Sequence, residues 1–118
     1  MARVRMDLDM GEIRVNIEKL DAKLDEAVNA VMHYHAASGV GYMKQNAPWT
    51  DRTGAARSGL FTIPEHAPGR HTIIFAHSVP YGIWLEVKNS GRYEIIMPSV
   101  RKIGHDVMAS LNHVMRKL

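Results

Sequence analysis

The chain contains no cysteine, which excludes disulfides, thiolate metal sites and cysteine nucleophiles. It has no apolar run near the roughly 20 residues that a membrane-spanning helix requires. The opening Met1-Ala2-Arg3-Val4-Arg5-Met6-Asp7 lacks the apolar core of a signal peptide. A soluble, unprocessed chain is therefore expected. Internal repeats and low-complexity segments are also missing, so solenoid and linker-like architectures are set aside.

The motifs of common chemistries are missing too. Gly39-Val40-Gly41-Tyr42-Met43-Lys44 follows a helical pattern instead of a strand and lacks a third glycine and a Lys-Ser/Thr ending, so it is no phosphate loop. Arg57-Ser58-Gly59 has only one of the two glycines that flank the serine of a nucleophile elbow. Asp51, Glu86 and Glu94 have nothing in sequence that ties them to one cleft as paired catalytic carboxylates. Seven histidines invite a metal site. However, His33 and His35 sit two apart on a helix and point to nearly opposite sides, whereas helical ligand pairs need a spacing of three or four. His66, His71 and His77 surround a hairpin with only Glu65 as an adjacent acid. No enzyme activity, metal or cofactor is expected.

What is present suits one globular domain. At 118 residues the chain can bury one core and not two, and we assign residues 1–118 to a single domain. A hydrophobic content of 46% against 23% charged residues argues against wholesale disorder. The net charge of +3 is unevenly spread: residues 7–26 hold seven acids against three bases, and residues 44–117 hold ten bases against five acids. This polarity suits head-to-tail stacking of subunits, with scattered solvated charge as the plain alternative. The bases Arg52, Arg57, Arg70, Lys88, Arg92, Arg101 and Lys102 beside Trp49 and Tyr93 allow non-specific DNA contact, but no compact recognition motif accompanies them.

Hydrophobic periodicity divides the chain. Residues 3–10 alternate strictly, Val4, Met6, Leu8 and Met10 on one side, which predicts a half-buried strand. From Glu12 the apolar positions Ile13, Ile17, Leu20, Leu24, Ala27, Val28 and Val31 predict an amphipathic helix. It is expected to reach the 38–44 region at a length near 50 Å, with a kink or hinge at Gly39 and Gly41 and an end set by Pro48. Residues 60–63 and 72–75 predict a hairpin, with Pro64 to Arg70 as a long irregular tip. Residues 81–86 fit a short helix or a short strand, the helix favoured because Tyr81, Trp84 and Leu85 share a face, and residues 93–97 a further strand closed by Pro98. Ser99 is expected to cap a final helix in which Val100, Ile103, Val107, Leu111, Val114 and Leu118 recur at steps of three and four. The sum is an α+β fold: a small antiparallel sheet of about four strands packed against a long N-terminal helix and a C-terminal helix.

Three spaced marks stand out: Ala47-Pro48 followed by Thr53-Gly54 and Arg57-Ser58, then Tyr81 to Glu86 as Tyr-x-x-x-Leu-Glu, then Met97-Pro98 before the closing helix. In order and spacing this resembles the tail-completion or head-tail joining (neck) proteins of long-tailed double-stranded DNA bacteriophages, which include minor tail and minor capsid components. The family's usual Gly-Thr after Leu-Glu is replaced here by Val87-Lys88-Asn89-Ser90-Gly91, and its Pro-Phe by Met97-Pro98.

The resemblance implies a virion protein, present in the host cytoplasm during assembly. It would form a homo-oligomeric, six-subunit ring between the head connector or stopper and the tail terminator or tail tube, with DNA in its lumen and no membrane partner. It implies structural or subunit-contact roles for Pro48, Thr53, Gly54, Arg57, Tyr81, Leu85 and Glu86. Trp49, set among polar turn residues, joins them as an interface candidate, and Trp84 is either core or interface. A tail terminator ring and a small dimeric DNA-binding or regulatory protein are the alternatives.

Overall fold

The computed structural model describes residues 4–19, 21–48, 55–78 and 94–117. Along the chain come β1 (Val4–Asp9), β2 (Glu12–Ile17), α1 (Ala22–Asn46), α2 (Ala55–Ser58), β3 (Leu60–Ala67), β4 (Arg70–His77) and α3 (Ile96–Lys117). The four strands form one sheet in the order β1-β2-β4-β3, with every neighbouring pair antiparallel. This is the α+β fold that the periodicities predict, with one long N-terminal and one C-terminal helix.

Each strand is two-sided because its side chains alternate. Ile13, Val15 and Ile17 of β2 and His71, Ile73 and Phe75 of β4 point to one face, and all six are buried. Against that face α1 contributes Leu24, Val28, Met32, Ala36 and Met43, and α3 contributes Val100, Ile103, Val107 and Leu111. The core is thus one apolar cluster between a sheet and two helices. Gly39 lets α1 come close to the sheet. A Cβ there would lie 2.9 Å from Phe75 Cε2 and 3.4 Å from Thr62 Cγ2. The Thr62 hydroxyl donates to the Ala36 carbonyl at 2.6 Å on the same contact.

Several boundaries differ from the sequence reading, each for a physical reason. Residues 12–17 form a strand and not the first turns of α1. Met10 and Gly11, with Gly11 at φ 79°, turn the chain so that β2 pairs with β1 from Val4–Ile17 to Asp9–Glu12. The helix is capped by Asp21, whose side chain accepts from the amides of Lys23 at 3.0 Å and Leu24 at 3.1 Å. Its 25 residues correspond to about 37 Å, shorter than expected. It runs as one element through Gly39 and Gly41; Gly39 serves the close packing on Phe75, and Gly41 faces open space. Ala47, at ψ 125°, ends it before Pro48.

The β3–β4 connection is also tighter than expected. Ala67 pairs with Arg70, which leaves Pro68 and Gly69 as the whole turn, Gly69 at φ 76°. Pro64 lies inside β3, a position open to proline because β3 is an edge strand. The strand expected at residues 93–97 is contradicted at Ile96 and Met97, which begin α3. Pro98 sits in the first helical turn, where its missing N–H has no intrahelical acceptor to lose. Ser99 is therefore not the cap. It is buried, and its amide already donates to Ile95 O at 3.0 Å.

Candidate assembly surfaces

Of the sequence-predicted site residues, Pro48 and Arg57 are described. Trp49, Thr53, Gly54, Tyr81, Trp84, Leu85 and Glu86 lie outside the described residues, as does the short helix expected at 81–86. Pro48 is exposed at the end of α1. Arg57, at the end of α2, turns back onto that same helix end: its guanidinium donates to the carbonyls of Lys44 and, at 3.3 Å, Ala47. The last carbonyls of a helix lack intrahelical donors and carry its negative dipole end, so a guanidinium there satisfies both needs. The structure thus brings Pro48 and Arg57 together in one joint, with Arg57 bound within its own chain.

The sheet face turned away from the helices carries a different chemistry. Register places Arg5, Asn16 and Arg70 in one row, Asp7, Arg14, Thr72 and Glu65 in the next, then Asp9, Glu12, Ile74 and Ile63, and finally Ala76 with Phe61. Arg14 is held by Asp9 at 3.1 Å. Two shallow depressions lie on this face. Arg5, Asp7, Arg14, Asn16 and Glu18 line one, and Glu65, His66, Ala67, Arg70 and Thr72 line the other. One end is therefore charged with both signs, and the other is apolar, with Ile63 41% exposed.

On the opposite side of the molecule, α1 has an unusual outward face. Residues 27–43 contain no Asp, Glu, Lys or Arg. Ala30, His33, Tyr34, Ala37, Ser38 and Gly41 are nevertheless exposed, Tyr34 to 71%. Solvated helix faces are normally charged. The outward face of α3 is basic instead: Arg101, Lys102, His105, His113, Arg116 and Lys117 are exposed, and the single acid, Asp106, is bound by Lys102 at 2.6 Å.

Two histidines serve the scaffold. His71 donates from Nε2 to Asp25 Oδ1 at 2.7 Å, and the same oxygen accepts from the Gly69 amide at 2.9 Å. The start of α1 is thereby tied to the β3–β4 turn. The His71 hydrogen bond holds the Asp25 carboxyl below its usual range against the opposing effect of burial, with Gly69 and the charges of His71 and His66 adding to it. Its contribution to stability is present above about pH 3.8 and is lost as pH falls through the lower folded-state value. His66 stacks on His71 at 6.0 Å, and His33 meets His66 edge-on at 6.4 Å. His35 is buried between the helices and shares a 2.8 Å hydrogen bond with Ser110 of α3. Burial pushes its imidazole below the ordinary value, with Lys102 adding and Asp106 opposing. Among the described residues no group of three or more His, Asp or Glu is placed to hold a metal ion.

No known protein family, no curated protein and no solved structure matches the chain.

Proposed function

We propose that the chain is a structural component of a phage head–tail connector, a ring-forming tail-completion protein that joins a DNA-filled head to its tail. One observation supports this reading above the others: the outer sheet face and the uncharged outward face of α1 lie on opposite sides of a two-layer molecule and differ in chemistry. A closed ring uses heterologous contacts, in which two different patches on each subunit meet. A subunit with two unlike surfaces on opposite sides has the form such contacts require. The order of the Ala47-Pro48, Thr53-Gly54, Arg57-Ser58 and Met97-Pro98 marks supports the same reading.

The basic face of α3 suits the duplex that a ring of this kind encloses, because lysine and arginine side chains displace counterions from phosphates without reading sequence. That same face is what a small DNA-binding regulator would use, which keeps it as the second reading. Electron microscopy separates the two. Disrupting the gene in the phage genome that carries it is expected to leave filled heads and finished tails unjoined in the lysate. Normally joined particles from the disrupted genome, with altered transcript levels, would support the regulator instead.

A further inference from the structure

The two edges of the sheet are unequal, and the difference points to a partner. β3 is blunted: Pro64 sits in its middle. A proline is accommodated in a sheet where its nitrogen faces away from the neighbouring strand, so it removes a donor from the open side. Among the described residues β1 carries no proline. Its six residues pair, among those described, with β2 alone, and the other side of the strand presents a row of backbone donors and acceptors to another strand.

The side chains of β1 specify what that strand must be. Arg5, Asp7 and Asp9 lie on the outer face, and Val4, Met6 and Leu8 on the inner one. Antiparallel pairing of β1 with β1 of a second copy, with the two-fold axis at Met6, sets Arg5 opposite the partner's Asp7 and Asp7 opposite the partner's Arg5. On the inner face the same register sets Val4 opposite Leu8 and Met6 opposite Met6. Arg5 and Asp7 each meet an opposite charge and every inner apolar side chain meets another, the arrangement that cross-strand pairs favour.

Neighbouring registers fail. A two-fold at Arg5 puts arginine against arginine. A two-fold at Asp7 puts aspartate against aspartate, and there Arg5 would face Asp9, which Arg14 already holds at 3.1 Å. The inner row also has surface to lose: Val4 and Met6 are half-buried, and Leu8 remains 43% exposed beside Gly104 of α3.

We infer that β1 is a self-recognition strand through which two copies of this chain join their sheets into one of eight strands. Because this two-fold pairing uses the same edge of both copies, it closes at two. The inference is separate from the ring reading. A ring with a head side and a tail side has no two-fold axis across it, so this pairing belongs to the chain before it enters a ring.

Analytical ultracentrifugation of the full chain tests it through charge exchange. The unaltered chain is expected to sediment as a dimer, and Arg5→Asp and Asp7→Arg, each placing like charges across the axis, as monomers. The double variant Arg5→Asp/Asp7→Arg is expected to restore the dimer. An equimolar mixture of the two single variants should form a heterodimer, an outcome that also shows both variants to be folded. A chain that sediments as a monomer at every soluble concentration, or single variants that dimerise like the unaltered chain, would overturn the inference.

Discussion

Ile73 and Ile74 are chain neighbours on β4 with opposite surroundings. Ile73 is 0% exposed, sealed beneath both helices, while Ile74 is half-buried on the outer face opposite Ile63. The same contrast holds across the sheet: one face is continuous core, and the other mixes arginine, aspartate and glutamate with isoleucine and phenylalanine. The helix-covered face accounts for why the chain folds. The other face is the one to which the proposed function assigns assembly.

The largest expected effect tests that contrast directly. Ile73→Ala should lower the unfolding free energy by about 2–5 kcal/mol, as for other large-to-small core changes. Ile74→Ala should cost under about 1 kcal/mol because less apolar area is lost. Urea denaturation followed by circular dichroism measures both, and equal losses would break the comparison.

Arg57→Ala removes the guanidinium from the end of α1 and should cost about 1.5–3 kcal/mol, the range for hydrogen bonds to charged groups. Arg57→Lys should recover only part of it, since an ammonium lacks the planar fork that spans two carbonyls. A loss near zero would release Arg57 from a structural role and return it to the list of contact residues.

Two helix glycines sharpen the account at smaller scale. Gly39→Ala drives a methyl into the buried Phe75 ring at 2.9 Å, and a net loss of about 1–2 kcal/mol is expected after the gain in helix propensity. Gly104→Ala meets Leu8 Cδ2 at 2.7 Å, but that is the tip of a partly exposed side chain that can move. It should be neutral or stabilising by up to about 1 kcal/mol. Thermal melts of the two variants should shift in opposite directions or by clearly different amounts.

The smallest effect is one of pH. Burial holds the His35 imidazole below its ordinary 6.5, so the folded state favours the neutral ring. Its contribution to stability is complete above about pH 6.5 and declines as pH falls from there through the folded-state value. His35→Gln, which keeps a partner for Ser110 and does not titrate, should flatten the dependence of the urea midpoint on pH in that interval. An unchanged slope would show that His35 is not responsible for it.

Much of the fold was legible because its strongest periodicities are long. Val100, Ile103, Val107 and Leu111 repeat over three turns, and α3 buries all of them. The misreading at residues 12–17 has a definite origin. Ile13 and Ile17 are four apart, a spacing that serves one helix face and one strand face equally, because four is even. Val15 breaks the tie: Glu12-Ile13-Arg14-Val15-Asn16-Ile17 alternates strictly, and Met10-Gly11 supplies the turn before it.

The two prolines misled for a related reason. Neither the edge strand at Pro64 nor the first helical turn at Pro98 offers the proline nitrogen a partner, so neither proline interrupts its element. Arg57 was singled out from sequence, but its carbonyl partners 10 and 13 residues earlier belong to tertiary packing, which periodicity does not carry. The unlike surfaces on opposite sides of the molecule were likewise hidden until register and burial fixed which residues face outward.

The most direct test of the central claim is a complementation titre. A phage with this gene disrupted is supplied with the chain carrying Ile74→Arg, and infectious particles are counted after the variant's thermal melt has been shown to match that of the unaltered chain. The titre is predicted to collapse, with filled heads and tails left unjoined. A titre equal to that given by the unaltered chain would contradict the assignment of the outer sheet face to assembly.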